Sequence, residues 1–116
     1  MIELNNLTKT KIDEDFLKGL AKKVIKRENK TIDISIVLVG KKRIKDLNKK
    51  YRKEDKVTDV LSFGQGLNEI IICPSFIKDK KDLAQALIHG VLHILGYEHS
   101  DKMFKKQDNY LDKFYG

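Results

Sequence analysis

Apolar positions along this chain fall into alternating helical and strand periods. Met1 to Leu4 is short enough for a brief strand. From Ile12 to Arg27, Phe16, Leu17, Leu20, Ala21, Val24 and Ile25 recur at helical spacing. Lys22, Lys23, Lys26 and Arg27 lie late in that segment, where positive charge complements the helix dipole. Thr31 to Val39 alternates instead, with Ile32, Ile34, Ile36 and Leu38 on one side, the period of a half-buried strand that Gly40 ends. Lys41 to Tyr51 predicts a lysine-rich helix with Ile44, Leu47 and Tyr51 as its apolar positions. Val57 to Phe63 and Glu69 to Cys73 predict two further strands, joined by the hairpin-type loop Gly64-Gln65-Gly66, and Pro74 closes the second.

Lys81 to Leu95 carries Leu83, Ala84, Ala86, Leu87, Ile88, Val91, Leu92, Ile94 and Leu95, apolar around most of a helix and so expected between other layers. Gly96 is placed as its left-handed cap, and an amphipathic helix runs from Asp101 to Phe114. This order predicts an α+β fold, a small mixed sheet of about four strands packed with about four to five helices. The 116 residues suit a single domain, 1–116. The tyrosines and phenylalanines are expected in the core, with Tyr110, Phe114 and Tyr115 docking the last helix.

Charge adds a preference for partners. With 24 Lys and Arg against 17 Asp and Glu the chain carries +7, a field that favours polyanions. A single cysteine, Cys73, excludes an intrachain disulfide and any cysteine-cluster metal site, and it is expected as a buried strand thiol. The first residues lack a basic region followed by an apolar run, and no stretch approaches the ~18 apolar residues of a membrane span. The expected location is the cytoplasm, with no membrane partner.

All three histidines stand in His89-Gly90-Val91-Leu92-His93-Ile94-Leu95-Gly96-Tyr97-Glu98-His99. His89 and His93 are four apart on a helix and project from one face. A turn at Gly96 can swing His99 back to them, so the three imidazoles are candidate ligands for one metal ion, Zn2+. Three protein ligands leave a fourth position open, as in catalytic zinc sites; a closed structural site would need Glu98 or Asp101 as well. The spacing H-x3-H-x2-G-x2-H is that of metzincin proteases, whose second position is the glutamate general base. Gly90 stands there instead, which points away from peptide hydrolysis.

A second polar cluster runs from Leu47 to Phe63. Arg52 is a planar cation suited to holding a phosphate, and Lys49, Lys50, Lys53 and Lys56 around it can track a nucleic-acid backbone. The alternative is a solvated loop in which Arg52 pairs with Asp55 or Asp59. Together these segments resemble the YbeY family of bacterial endoribonucleases and rRNA maturation factors. Asn48, Tyr51-Arg52, Asp55 and Thr58-Asp59-Val60-Leu61-Ser62-Phe63 follow one family pattern in order. His89, Gly90, Leu92, His93, Gly96, Tyr97 and His99 meet the other, and Met103, Gln107 and Leu111 look like its last helix. The chain departs at Asn68-Glu69, usually Gly-Asp, and at Glu98, usually Asp.

The resemblance implies one zinc held by His89, His93 and His99, with Arg52 and His93 as catalytic residues. It implies single-strand-specific endoribonuclease activity in rRNA maturation, at the 16S rRNA 3′ end, and in ribosome quality control. The implied partners are an rRNA precursor, the small ribosomal subunit and a small-subunit ribosomal protein. Glu98 and Asp59 stay open as participants, the general base is unassigned, and attack by water or by the RNA 2′-hydroxyl both stand. The competing expectations are a ribosome assembly factor with a structural metal and, behind it, a metallopeptidase.

Overall fold

The computed structural model describes residues 1–64 and 66–115, so Gln65 of the Gly64-Gln65-Gly66 loop lies outside the described residues. Strands β1 (Ile2–Asn6), β2 (Ile34–Leu38), β3 (Val60–Phe63) and β4 (Glu69–Ile72) form one sheet in the order β1-β2-β4-β3. The β1–β2 and β2–β4 pairs are parallel, and β3 runs antiparallel to β4 with Leu61 opposite Ile71. Helices α1 (Glu14–Arg27), α2 (Lys41–Arg52), α3 (Lys80–Ile94) and α4 (Asp101–Phe114) complete the α+β architecture, with a 3-10 turn at Pro74–Phe76. The second and third strands start later than their apolar patterns do. β2 begins at Ile34, which pairs with Ile2 at the start of β1, and β3 begins at Val60 opposite Ile72 at the end of β4.

Strand alternation divides the core in two. Ile34, Ile36 and Leu38 of β2 and Ile70 and Ile72 of β4 pack under α1, α3 and α4. Leu61, Ile71, Val39 and Cys73 gather on the other side with Ile44 of α2. Burying each such large apolar side chain contributes about 1.5–3 kcal/mol. α3 lies between the sheet and the flanking helices, which is why its apolar positions run round most of its surface. No helix among the described residues is long and apolar enough to cross a membrane.

Local chemistry sets the helix ends that matter for the site. Asp79 accepts from the Asp82 N–H at 2.9 Å to start α3, and Ser100 accepts from the Met103 N–H at 3.3 Å to start α4. Gly96, at φ +103, ends α3 with the two bonds of a Schellman motif. Its N–H donates to the His93 carbonyl at 3.0 Å, and the Tyr97 N–H donates to the Leu92 carbonyl at 3.1 Å. Asn68, where the resembled family usually has glycine, also takes a positive φ of 48°, which asparagine tolerates better than most residues.

One expectation is corrected. Tyr51, Phe76 and Phe104 do not enter the core: they are 57%, 51% and 44% exposed, and Tyr115 is 36% exposed. Tyr51, at the end of α2, packs edge-on against Phe63 with ring centroids 5.3 Å apart, and Phe104, one position off the buried stripe Met103, Gln107, Leu111, lies beside the His89 and His99 rings, so each keeps one side exposed. Phe16, Tyr97, Tyr110 and Phe114 do pack against the main core.

Candidate metal centre and cleft

α3 carries His89 and His93 on one face, and the turn after Gly96 returns His99 to them. The Nε2 atoms of His89 and His99 lie 3.1 Å apart, and those of His93 and His99 lie 2.6 Å apart. Two nitrogens bound to one tetrahedral zinc at ~2.0–2.1 Å would stand about 3.3 Å apart, so the cluster has the size of such a site. The Nδ1 of His89 donates to Oε1 of buried Gln107 at 2.7 Å. An amide oxygen only accepts, so this bond puts the proton on Nδ1 and leaves Nε2 with its lone pair toward the other imidazoles.

Electrostatics favour the neutral imidazole a cation needs. Burial lowers the pKa of His89, and His99 and Arg52 lower it further against the Gln107 hydrogen bond and Asp59, which raise it. Burial likewise lowers His93, followed by His89, His99 and Arg52, against a backbone hydrogen bond at Tyr97. Imidazole nitrogens crowded together in this way fit a cation, and a bound ion would relieve their mutual repulsion.

The histidines open into a cleft of about 1140 Å³, larger than the ~300–1,000 Å³ usual for small ligands. Arg52, Asp59 and Glu98, named from the sequence, all line it. Arg52 pairs with neither Asp55 nor Asp59; Asp55 lies 3.9 Å from Lys45, and Arg52 has no ion pair among the described residues. Asp59 accepts from the Thr58 hydroxyl at 3.4 Å and does not hydrogen-bond an imidazole among the described residues. Asn48 ties down the loop that follows Arg52: it is buried, and its Nδ2 donates to the Lys56 carbonyl at 3.0 Å. Tyr51, Phe76 and Phe104 line the same cleft, and the Phe104 ring lies 6.2 Å from His89 and 6.0 Å from His99. Cys73 is a buried free thiol outside the cleft lining.

Two supports were not legible in the sequence. Gln107 matched a helix pattern but carried no sign of its bond to His89, eighteen residues away. Glu28, just past α1, accepts from the Tyr97 hydroxyl at 2.6 Å, from Lys106 Nζ at 3.0 Å and from the Tyr110 hydroxyl. Its side chain is only 7% exposed, so these donors replace its water and tether the turn between His93 and His99. Burial pushes the Glu28 carboxyl up, but the bonds from Tyr110, Tyr97 and Lys106 outweigh it and hold the pKa below the ordinary 4.5. A carboxyl lowered in the folded state stabilises the fold above its unfolded pKa and loses that contribution as pH falls through the folded one. Glu28→Gln is therefore expected to destabilise the protein by about 1–3 kcal/mol at neutral pH. The gap to wild type should narrow as the pH drops below 4.5. Denaturant unfolding at neutral and acid pH measures this, and a gap independent of pH would contradict it.

Comparison with known proteins puts this chain among nucleases. A family model described as Endoribonuclease YbeY matches residues 3–115. The chain belongs to the YbeY endoribonuclease family. It is 32% identical to an "Endoribonuclease YbeY" of Thermotoga maritima, over 86% of this chain and 79% of that one. A protein of the same name from Aliarcobacter butzleri is 32% identical over 98% of this chain and 92% of its own. A solution structure from Thermotoga maritima superposes with a TM-score of 0.73 at 30% identity, covering all of this chain (100%) and 90% of the other. A crystal structure of a Saccharomyces cerevisiae Wss1 mutant gives 0.57 at 16% identity, a likeness of fold alone.

Proposed function

We propose that residues 1–116 form one zinc-dependent endoribonuclease domain that cleaves single-stranded RNA in rRNA maturation, at the 16S rRNA 3′ end, and in ribosome quality control. The observation that carries this is the union in one large cleft of three converging imidazoles and of Arg52, which has no ion pair among the described residues. His89, His93 and His99 would hold the ion, which when bound supplies Lewis acidity toward a phosphoryl oxygen. Gln107 sets the His89 tautomer, and Glu28 keeps His99 in reach through Tyr97. Arg52 holds a phosphate by two hydrogen bonds and offsets the charge that builds on it during displacement. His93, whose Nε2 makes the shortest approach in the cluster, would act as a catalytic residue by helping to hold the ion.

Single-strand preference is supported by the exposed aromatics. Tyr51, Phe76 and Phe104 offer ring faces in the cleft, and unpaired bases stack on such faces whereas paired ones cannot. The working location is the cytoplasm, where the rRNA precursor and the small ribosomal subunit are the partners, with a small-subunit ribosomal protein as a docking contact.

The test is cleavage of an unstructured RNA oligonucleotide, its duplex, and both after chelation. We expect cleavage of the single strand only, abolished by the chelator and restored by zinc. Arg52→Lys should lower kcat/KM by about 10²-fold with metal content unchanged, because an ammonium cannot reproduce the guanidinium's paired donors. Cleavage within threefold of wild type in that variant would remove Arg52 from the reaction. RNA binding without any cleavage would favour an assembly factor whose metal is structural.

A further inference from the structure

The net charge is not spread over the surface. Residues 41–56 hold nine Lys and Arg against three Asp and Glu, a net +6 of the chain's +7. Helix α2 occupies most of this segment and buries only Ile44 and Asn48. Lys41, Lys45, Lys49 and Arg52 are spaced i, i+4, i+8 and i+11, so they form one stripe along its side. The stripe is about 16 Å long and ends at Arg52 in the cleft, enough for about four to five nucleotides of a stacked strand. Among the described residues only Lys45 of the four has a carboxylate nearby, Asp55 at a loose 3.9 Å with both side chains about half exposed.

This arrangement works against the helix that carries it. Lys41, Lys42 and Arg43 crowd the positive end of the helix dipole, where no acidic residue stands and Gly40 provides no side-chain cap. Like charges four apart repel as well. α1 shows the opposite order, with Glu14 and Asp15 in its first turn and Lys26 and Arg27 in its last. A polyanion lying along α2 would turn each of these unfavourable terms into a favourable one.

We infer that the Lys41–Lys45–Lys49 stripe is a backbone-tracking surface for the RNA strand that flanks the cleaved bond, leading it to Arg52. This deepens the nuclease reading of the cleft and rests on it. The three lysines position the flank; none touches the reacting phosphate.

The test compares wild type with the Lys41→Gln/Lys45→Gln/Lys49→Gln variant. The control is Lys18→Gln/Lys22→Gln/Lys26→Gln, which removes the same charge at the same spacing from α1, a helix that contributes no residue to the cleft lining. The probe is a 2′-O-methylated, unstructured oligonucleotide of about twelve residues, bound across a salt series. The α2 variant should bind about 10- to 50-fold more weakly near 0.1 M salt, and its slope of log Kd against log salt should fall by about two, at ~0.7 per phosphate contact. Its melting temperature should equal or exceed that of wild type, since the repulsion within α2 is relieved. Equal losses in the two variants would overturn the stripe in favour of net charge, as would an unchanged slope in the α2 variant. Cleavage of a natural-sugar oligonucleotide is scored separately. A wild type that binds with the expected slope yet never cleaves sinks the nuclease reading and leaves the surface standing.

Discussion

Replacement of His93 by alanine is expected to lose the metal and to lower RNA cleavage by at least about 10³-fold. Both effects have one origin. His93 Nε2 lies 2.6 Å from that of His99, whose nitrogen is also 3.1 Å from that of His89, so removing it leaves only two ligands. Two imidazoles hold zinc far less tightly than three, and what remains lacks the ion's contribution to transition-state charge. His93 is half-buried at the end of α3 and touches the cleft on one side, so its truncation leaves the core intact. The variant should therefore fold, and circular dichroism with metal analysis on the same sample separates site loss from unfolding. Gln107→Leu supplies the graded comparison: it removes only the partner of His89 Nδ1, and outer partners of ligating histidines are commonly worth about 10- to 100-fold in metal affinity. One zinc per chain retained in His93→Ala would end the three-histidine assignment.

What could be read from the sequence was what depends on near neighbours. The helical period of Lys81 to Leu95, the four-residue step from His89 to His93 and the glycine at position 96 are local signals, and the structure follows each. Strand alternation likewise identified Ile34, Ile36 and Leu38 as one buried face. Bonds made across the fold left no such trace. Glu28 reaches Tyr97, Lys106 and Tyr110 from the far end of α1, and nothing in its surroundings in the sequence distinguishes it from a surface glutamate. The cleft aromatics were misplaced for a related reason. Hydrophobicity predicts what burial would favour, whereas Tyr51, Phe76 and Phe104 stay exposed around an opening that only the tertiary structure creates. Arg52 shows the same limit: its neighbours Asp55 and Asp59 offered partners in sequence that geometry does not bring to it.

Gly90→Glu would place the protease base beside the first histidine, and we expect it to prevent folding rather than confer peptidase activity. Gly90 is buried where α3 crosses β4, and a Cβ there would meet Ile70 Cγ2 at 3.0 Å and Cδ1 and Cγ1 at 3.4 Å. Alanine already tests this contact. It gains about 1 kcal/mol of helix propensity over glycine but overpacks against Ile70 at a cost of about 1–3 kcal/mol, for a small net loss. Glutamate adds further heavy atoms and a carboxylate to a site with no space for them and no partner for the charge. An unpaired buried charge costs several kcal/mol, a large part of the 5–15 kcal/mol that stabilises an ordinary domain. Soluble yield and melting temperature measure the outcome, with a protease assay on any folded fraction. A folded Gly90→Glu protein with wild-type stability would show that this side of α3 has room. If instead it fails to fold while Gly90→Ala retains its metal, the orientation of α3 is what separates this histidine spacing from peptide hydrolysis. The first histidine faces the cleft, and the next position, a 100° step round the helix, faces the sheet.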